Sequence, residues 1–180
     1  MTTTIQDRQA SVGTEQVWRE IDKASFAVLS QVTPAGEPRS SGVLYKSIGR
    51  RLYVAVGADS WKARHISANR RVAVTVPVRR GGILSLLAPI PPATISFHGT
   101  ALVHPADSPA AQTLTEELAS LLPPERRASA CIVEVIPEGA FLTYGLGVPL
   151  LKMRDPAAAR AHAPVALPGG ARRRATTGRE

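Results

Sequence analysis

"GADSWKARHISANRRVAV", Gly57 to Val74, joins two apolar runs through a polar segment of helical character. The preceding "LYVAV" ends at Gly57, and Val72 and Val74 resume an alternating pattern beyond Asn69. Asp59 or Ser60 stands where a short helix running through Asn69 would be capped, so the stretch predicts strand, capped helix, strand. Free N–H groups in the first turn of such a helix, together with the Ser60 hydroxyl, face outward and favour an anion. Lys62 in that turn and Arg64 close behind add cationic groups able to neutralise a phosphate or carboxylate. Spacing alone weighs toward the plainer reading, a capped helix whose lysine and arginine are solvated.

Working outward, strand signals dominate. "SFAVLSQV" runs into a "TPAGEP" turn, "RSSGVLYKSI" follows, and "GRR" separates it from "LYVAV", which predicts an antiparallel meander. Val72, Val74, Val76 and Val78 alternate along the next strand; Ile95, Phe97, Ala101 and Val103 do so later, with Gly99 in register between them. Lys46 lies near a chain reversal and would converge on the same anion if its strand pairs with the one before Gly57. The backbone of Val43 to Tyr45 is then free to meet a flat heterocycle edge-on.

Helical signals flank the strands. Thr14 is placed as the cap of a helix presenting Val17, Ile21 and Ala24 on one side, widened by Trp18. Ser108 and Pro109 open a second helix with a stripe of Ala111, Leu114, Leu118 and Leu121, and Asp155 is placed to cap a short one in "DPAAARAHA". The predicted organisation is a flexible arm over residues 1–13, a barrel domain over 14–150, a short helical extension over 151–162 and a disordered basic tail over 163–180. Short antiparallel strands with few crossovers predict a mainly β, α+β fold: a small barrel with two or three flanking helices.

Composition narrows the function classes. The 180 residues are 44% hydrophobic but only 4% aromatic, so Val, Ile, Leu and Ala must build the core. Net charge is +8, of which three charges belong to the tail, where Arg172, Arg173, Arg174 and Arg179 face only Glu180. Paired arginines such as Arg50–Arg51 and Arg70–Arg71 sit at strand ends with no interleaved aromatic platform, which argues against specific nucleic-acid binding. The lone Cys131, in an apolar strand, allows no intrachain disulfide and suits a reducing cytoplasm. The start carries no apolar signal-like core and no run approaches the ~20 apolar residues of a membrane span. His65, His98 and His104 have no metal-ligand spacing, and neither a G-x-G-x-x-G after the first strand nor a P-loop occurs. Arg79 to Pro92 is a long apolar loop, read as a flap or dimer contact before a lid over a hydrophobic substrate.

The segment Ser25 to Val76, with its "G-x-P" turn, a strand ending in lysine, then "S-x-K" and "N-x-x-V-A-V", resembles the core of the pyridoxamine 5′-phosphate oxidase-like, flavin-binding split-barrel family, a resemblance that covers about Val17 to Val78 and extends more loosely to Gly147. It is most similar to the branch of flavin and deazaflavin oxidoreductases. The resemblance implies a split barrel of antiparallel strands and a homodimer with two cofactor sites at the subunit interface, each binding FMN or the deazaflavin F-420. It places Lys46, Ser60 and Lys62 at the cofactor's phosphate and Val43 and Leu44 along its ring, with Trp61 and Arg64 adjoining. It further implies hydride transfer to or from a small conjugated or heterocyclic substrate, or, in haem-handling relatives, a binder of flavin, haem or lipid-like ligands without turnover. No catalytic residue is assigned.

Two departures bear on that expectation. Ser41 stands where FMN-using members show the arginine of "R-x-V-L-L-K", and Trp61 stands where "S-R-K" supplies another. The substrate-binding "R-x-H" of vitamin B6 oxidases is not evident near Tyr144. These losses favour F-420, whose longer anionic tail has Arg39, Arg64, Arg70 and Arg71 within the same segment, and disfavour vitamin B6 oxidation.

Overall fold

The computed structural model describes residues 12–79, 92–149, 153 and 155–166. Most of the predicted arm, the apolar loop over 80–91 and the tail from 167 lie outside the described residues. Eight strands form one antiparallel sheet: β1 (Phe26–Val32), β2 (Pro38–Leu44), β3 (Lys46–Ile48), β4 (Arg51–Gly57), β5 (Arg71–Val78), β6 (Ala93–His104), β7 (Ala130–Tyr144) and β8 (Arg160–Pro164). Their order is β2-β1-β5-β6-β7-β4-β3, and β8 pairs with the second half of β7. Helices α1 (Thr14–Lys23), α2 (Trp61–Ala68) and α3 (Pro109–Glu117) flank the sheet, with one-turn helices α4 (Pro124–Arg127) and α5 (Pro156–Ala159). This is a split β-barrel, as the strand periodicity and the resemblance predict.

The single strand expected over Arg39 to Ile48 is two. β2 pairs with β1, whereas β3 pairs with β4 at the opposite end of the strand order. The break falls at Tyr45, whose ring is buried, whose N–H donates to Ser25 O at 2.9 Å and whose hydroxyl donates to Ile21 O at 2.7 Å. Passing through this anchored residue, the chain carries one edge of the sheet toward the other and curls the sheet into a barrel.

The inner face is filled by Leu29, Val54, Val74, Val76, Ile95, Phe97 and Phe141, with Val17, Trp18 and Ile21 of α1 packed into them. Phe141 meets Trp18 and Phe97 edge-on at centroid separations of 5.3 and 5.4 Å, a favoured aromatic geometry. Gly99 is required by close approach: a Cβ there would come 2.2 Å from Ile136 O. A second, smaller core on the outer face joins Tyr53 and Ile132 to Ala111 of α3 and to Leu118, its C-cap, with Leu114 and Leu121 partly buried against it, as the apolar stripe predicts.

Three local expectations change. Gly13, not Thr14, is the N-cap of α1; Thr14 instead donates through Oγ1 to Pro164 O at 2.7 Å, tying α1 to β8. Asp155 does cap α5, accepting from Ala157 N at 3.0 Å and Ala158 N at 3.4 Å. The helical extension expected through residue 162 nevertheless ends at Ala159, because Arg160–Pro164 buries Ala161 and Ala163 at period two and completes the sheet beside β7. Ala163 and Pro164, assigned to a disordered tail, are therefore in a strand.

Candidate functional site

The capped turn predicted at Ser60 is present. Ser60 is extended, with φ −69° and ψ 145°, and its Oγ accepts from Ala63 N at 3.3 Å, while Arg64 N donates to Ser60 O at 3.2 Å. The N–H groups of Trp61 and Lys62 are thus left to face outward, and the first turn holds no acidic residue. Lys62 Nζ lies 4.8 Å from the centre of the Trp61 ring, a cation–π arrangement. The positive end of α2, with a lysine and no acidic residue in its first turn, has a charge that suits an anion.

Trp61, over a third exposed, also packs toward His65 one turn on, with ring centroids 5.5 Å apart. His65 Nδ1 lies 3.4 Å from Gln31 Nε2 on β1. Gln31 is only 3% exposed, yet its Oε1 has no hydrogen-bond partner. Ser41 Oγ on β2 is the other buried side-chain polar atom without a partner among the described residues. Leu29 faces Ser41 and Gln31 faces Arg39 across β1 and β2, so Gln31 and Ser41 are diagonal neighbours on one face of the sheet. Sequence reading singled out Ser41 only as a missing arginine and passed over Gln31; its signal is a polar amide in the apolar alternation of "AVLSQV".

Along the same edge, Val43 and Leu44 part company. Val43 is buried opposite Ala27, whereas Leu44 is half exposed opposite Phe26, itself 44% exposed. Since Tyr45 N–H bonds toward Ser25, antiparallel alternation turns the backbone groups of Val43 and Ser41 toward β1 and those of Leu44, Gly42 and Ser40 toward the open edge. An exposed apolar strip with unpaired backbone donors and acceptors is what a flat heterocycle or a second chain can use.

Lys46 and Arg64 go elsewhere. Lys46 Nζ donates to Glu117 O and Glu117 Oε2, each at 2.9 Å, at the C-terminus of α3. Its register partner is Tyr53, four residues before the end of β4, about 13 Å at ~3.3 Å per residue. The expected convergence of Lys46 with Ser60 is therefore replaced by an ion pair on the outer face. Arg64 lines a cavity of about 780 Å³ between α2 and the segment after β6, together with Ser67, Pro105, Asp107 and Cys131. Burial pushes the Cys131 thiol up, away from thiolate chemistry, as its apolar setting predicts.

A charged cluster on the outer face escaped the sequence reading. Glu134 on β7 is 5% exposed; Arg51 pairs with its Oε1, His104 Nε2 donates to its Oε2 at 2.7 Å, and Tyr53 donates to Oε1 at 3.4 Å. Burial pushes this carboxyl up, but the hydrogen bonds from His104 and Arg51 and the guanidinium charge outweigh it and hold it below the ordinary carboxylate range. The signal was a lone carboxylate between Ile132 and Ile136 on one strand face.

The sequence matches the family described as pyridoxamine 5′-phosphate oxidase over residues 14–142. The chain belongs to this family. Family membership thus spans α1 through most of β7 and takes in every residue of the capped turn. No curated protein matches in sequence. Among solved structures, an F420 reductase is 21% identical, covering 68% of this chain and 93% of that one at a TM-score of 0.51. A pyridoxamine 5′-phosphate oxidase-related, FMN-binding protein from Nostoc punctiforme is 15% identical, covering 70% and 76% at 0.51. A heme-binding protein from Mycobacterium smegmatis is 14% identical, covering 84% and 57% at 0.63. At these identities the likeness shows the shared fold. Among the described residues, no helix is long and apolar enough to cross a membrane.

Proposed function

We propose that the protein is a flavin- or deazaflavin-dependent oxidoreductase, with F-420 or FMN held between the N-terminus of α2 and the edge of β2. The observation that carries this reading is the Ser60-capped start of α2, whose first turn holds Lys62 and no acidic residue. The family's flavin-handling relatives agree with this reading. When bound, the cofactor supplies the hydride chemistry. The chain's own part is to neutralise the anionic end with Lys62 and the α2 N–H groups, flank it with Trp61, and offer the backbone of Leu44 and the apolar Phe26–Leu44 strip to the ring. That exposed strip also supports a homodimer whose second subunit covers the cofactor, working on a small-molecule substrate in the cytoplasm.

Lys46 and Arg64 remain part of the proposal only as groups that a ligand would have to draw from their present settings. The test is titration of purified protein with FMN and with F-420, followed by fluorescence, and by hydride transfer to an added acceptor. Binding of one of the two supports the reading. Retention of haem instead, with its Soret absorbance and no turnover, would replace it by the non-enzymatic binder suggested by the fold shared with the mycobacterial heme-binding protein.

A further inference from the structure

We propose that a gap between β1 and β5 is the substrate pocket, and that it takes a planar aromatic or conjugated carboxylate. This rests on the proposed cofactor site, whose ring is given the adjoining Phe26–Leu44 strip, and names the class of molecule that meets it there. The gap has a local cause. β1 pairs with β5 from Gln31–Val72 to Val28–Thr75 and stops there, although β1 begins at Phe26 and β5 continues to Val78. Arg70 O accepts from Ala101 N on β6, so by alternation the backbone groups of Thr75 and Pro77 turn toward β1. The next hydrogen-bonded pair would join Pro77 to Phe26, and proline has no N–H to give. The strands part, and a cavity of about 640 Å³ opens there against the C-terminal turn of α1.

What lines the cavity sets its ligand. Ala24, Pro77, Val78 and Pro92 supply apolar wall, and Phe26, 44% exposed, supplies an aromatic face. That ring is seated on Gly42 of β2: a Cβ at position 42 would come 2.8 Å from Phe26 Cε2, so only glycine lets the ring lie where it does. Three charged side chains complete the lining. Glu20 and Lys23 satisfy each other at 3.1 Å, whereas the exposed Arg79 has no ion pair among the described residues. An acid entering beside Arg79 breaks no existing pair, and the guanidinium fork matches a carboxylate through two hydrogen bonds. A flat ring stacks on Phe26 better than a saturated one does. The volume falls in the roughly 300–1,000 Å³ range of small-molecule pockets.

The test titrates the full chain, first without cofactor and then with FMN or F-420 added, with three probes: 2-naphthoate, its uncharged amide 2-naphthamide, and the saturated cyclohexanecarboxylate. 2-Naphthoate should bind most tightly. Arg79→Gln should weaken both acids about tenfold and leave the amide unchanged. Gly42→Ala, whose new methyl group meets only the Phe26 ring, should weaken the two naphthyl probes about three- to fivefold and leave cyclohexanecarboxylate unchanged. In the loaded protein, bound 2-naphthoate should alter the cofactor's fluorescence; binding without that change overturns the role as substrate pocket. Equal affinity for naphthoate and naphthamide, or no effect of either substitution, overturns the carboxylate site. Naphthoate binding that appears only once residues 80–91 are replaced by a glycine–serine linker also overturns it, giving the cavity to the chain's own segment. Cofactor binding without naphthoate binding strikes the pocket and leaves the oxidoreductase reading in place. Naphthoate binding with the stated substitution pattern, but no binding of FMN or F-420, upholds the carboxylate site and strikes that reading.

Discussion

Tyr53 and Glu134 stand directly opposite each other on β4 and β7, and the tyrosine hydroxyl donates to the buried carboxylate at 3.4 Å. With Arg51 and His104 on its other sides, Glu134 is ionised in a place where an unpaired carboxylate would be costly. Its folded-state pKa lies below that of the unfolded chain, so the stabilisation is complete above the usual carboxylate range and is lost as pH falls through the depressed value. Glu134→Gln should cost about 1–3 kcal/mol at pH 7. Melting temperatures of the two proteins should converge as pH drops below about 4. A gap that stays constant from pH 7 to pH 3 would show that the charge contributes nothing.

Gly99→Ala should destabilise the barrel by at least about 2 kcal/mol, since its Cβ would press on the backbone oxygen of Ile136, which no rotamer change can move aside. Denaturant titration measures this directly. A change under half a kilocalorie would mean that β6 and β7 slide apart freely at the register shift beside it.

Tyr45→Phe removes one buried hydroxyl and leaves Ile21 O, at the end of α1, only the 3.3 Å hydrogen bond from Ala24 N. A loss of about 1–2 kcal/mol is expected with the fold intact. Urea midpoints and circular dichroism check it. An unchanged midpoint would imply that the hinge between β2 and β3 is held by packing alone.

Ser60→Ala and Lys62→Ala separate the cap from the ligand site. The first should lower stability by about 1 kcal/mol through loss of the Ala63 N–H bond. The second removes a half-buried lysine that no ion pair holds among the described residues and should leave the melting temperature within a degree while weakening FMN or F-420 binding about tenfold. Lys62→Ala with undiminished affinity for the phosphorylated cofactor would remove the anion from α2.

Features that depend on neighbours within one or two turns were legible from the chain. The Val72–Val78 alternation became β5, Ser108 and Pro109 open α3, and Ser60 caps α2 where "DSWK" indicated. Each follows from side-chain period or from a hydroxyl meeting an N–H three residues away, so no distant residue has to be known.

Tertiary structure alone decided the rest. Gly42 to Ile48 carries no local sign that Tyr45 divides two strands bound for opposite edges; that depends on Ile21 O and Ser25 O receiving its two hydrogens. Lys46 meets Glu117 across 71 positions, Glu134 meets Arg51 across 83, and the orphaned oxygen of Gln31 is defined by which distant groups fail to reach it. Period and capping are short-range properties of the backbone. Pairing and its absence belong to the folded interior, where residues far apart along the chain compete for the same few polar atoms.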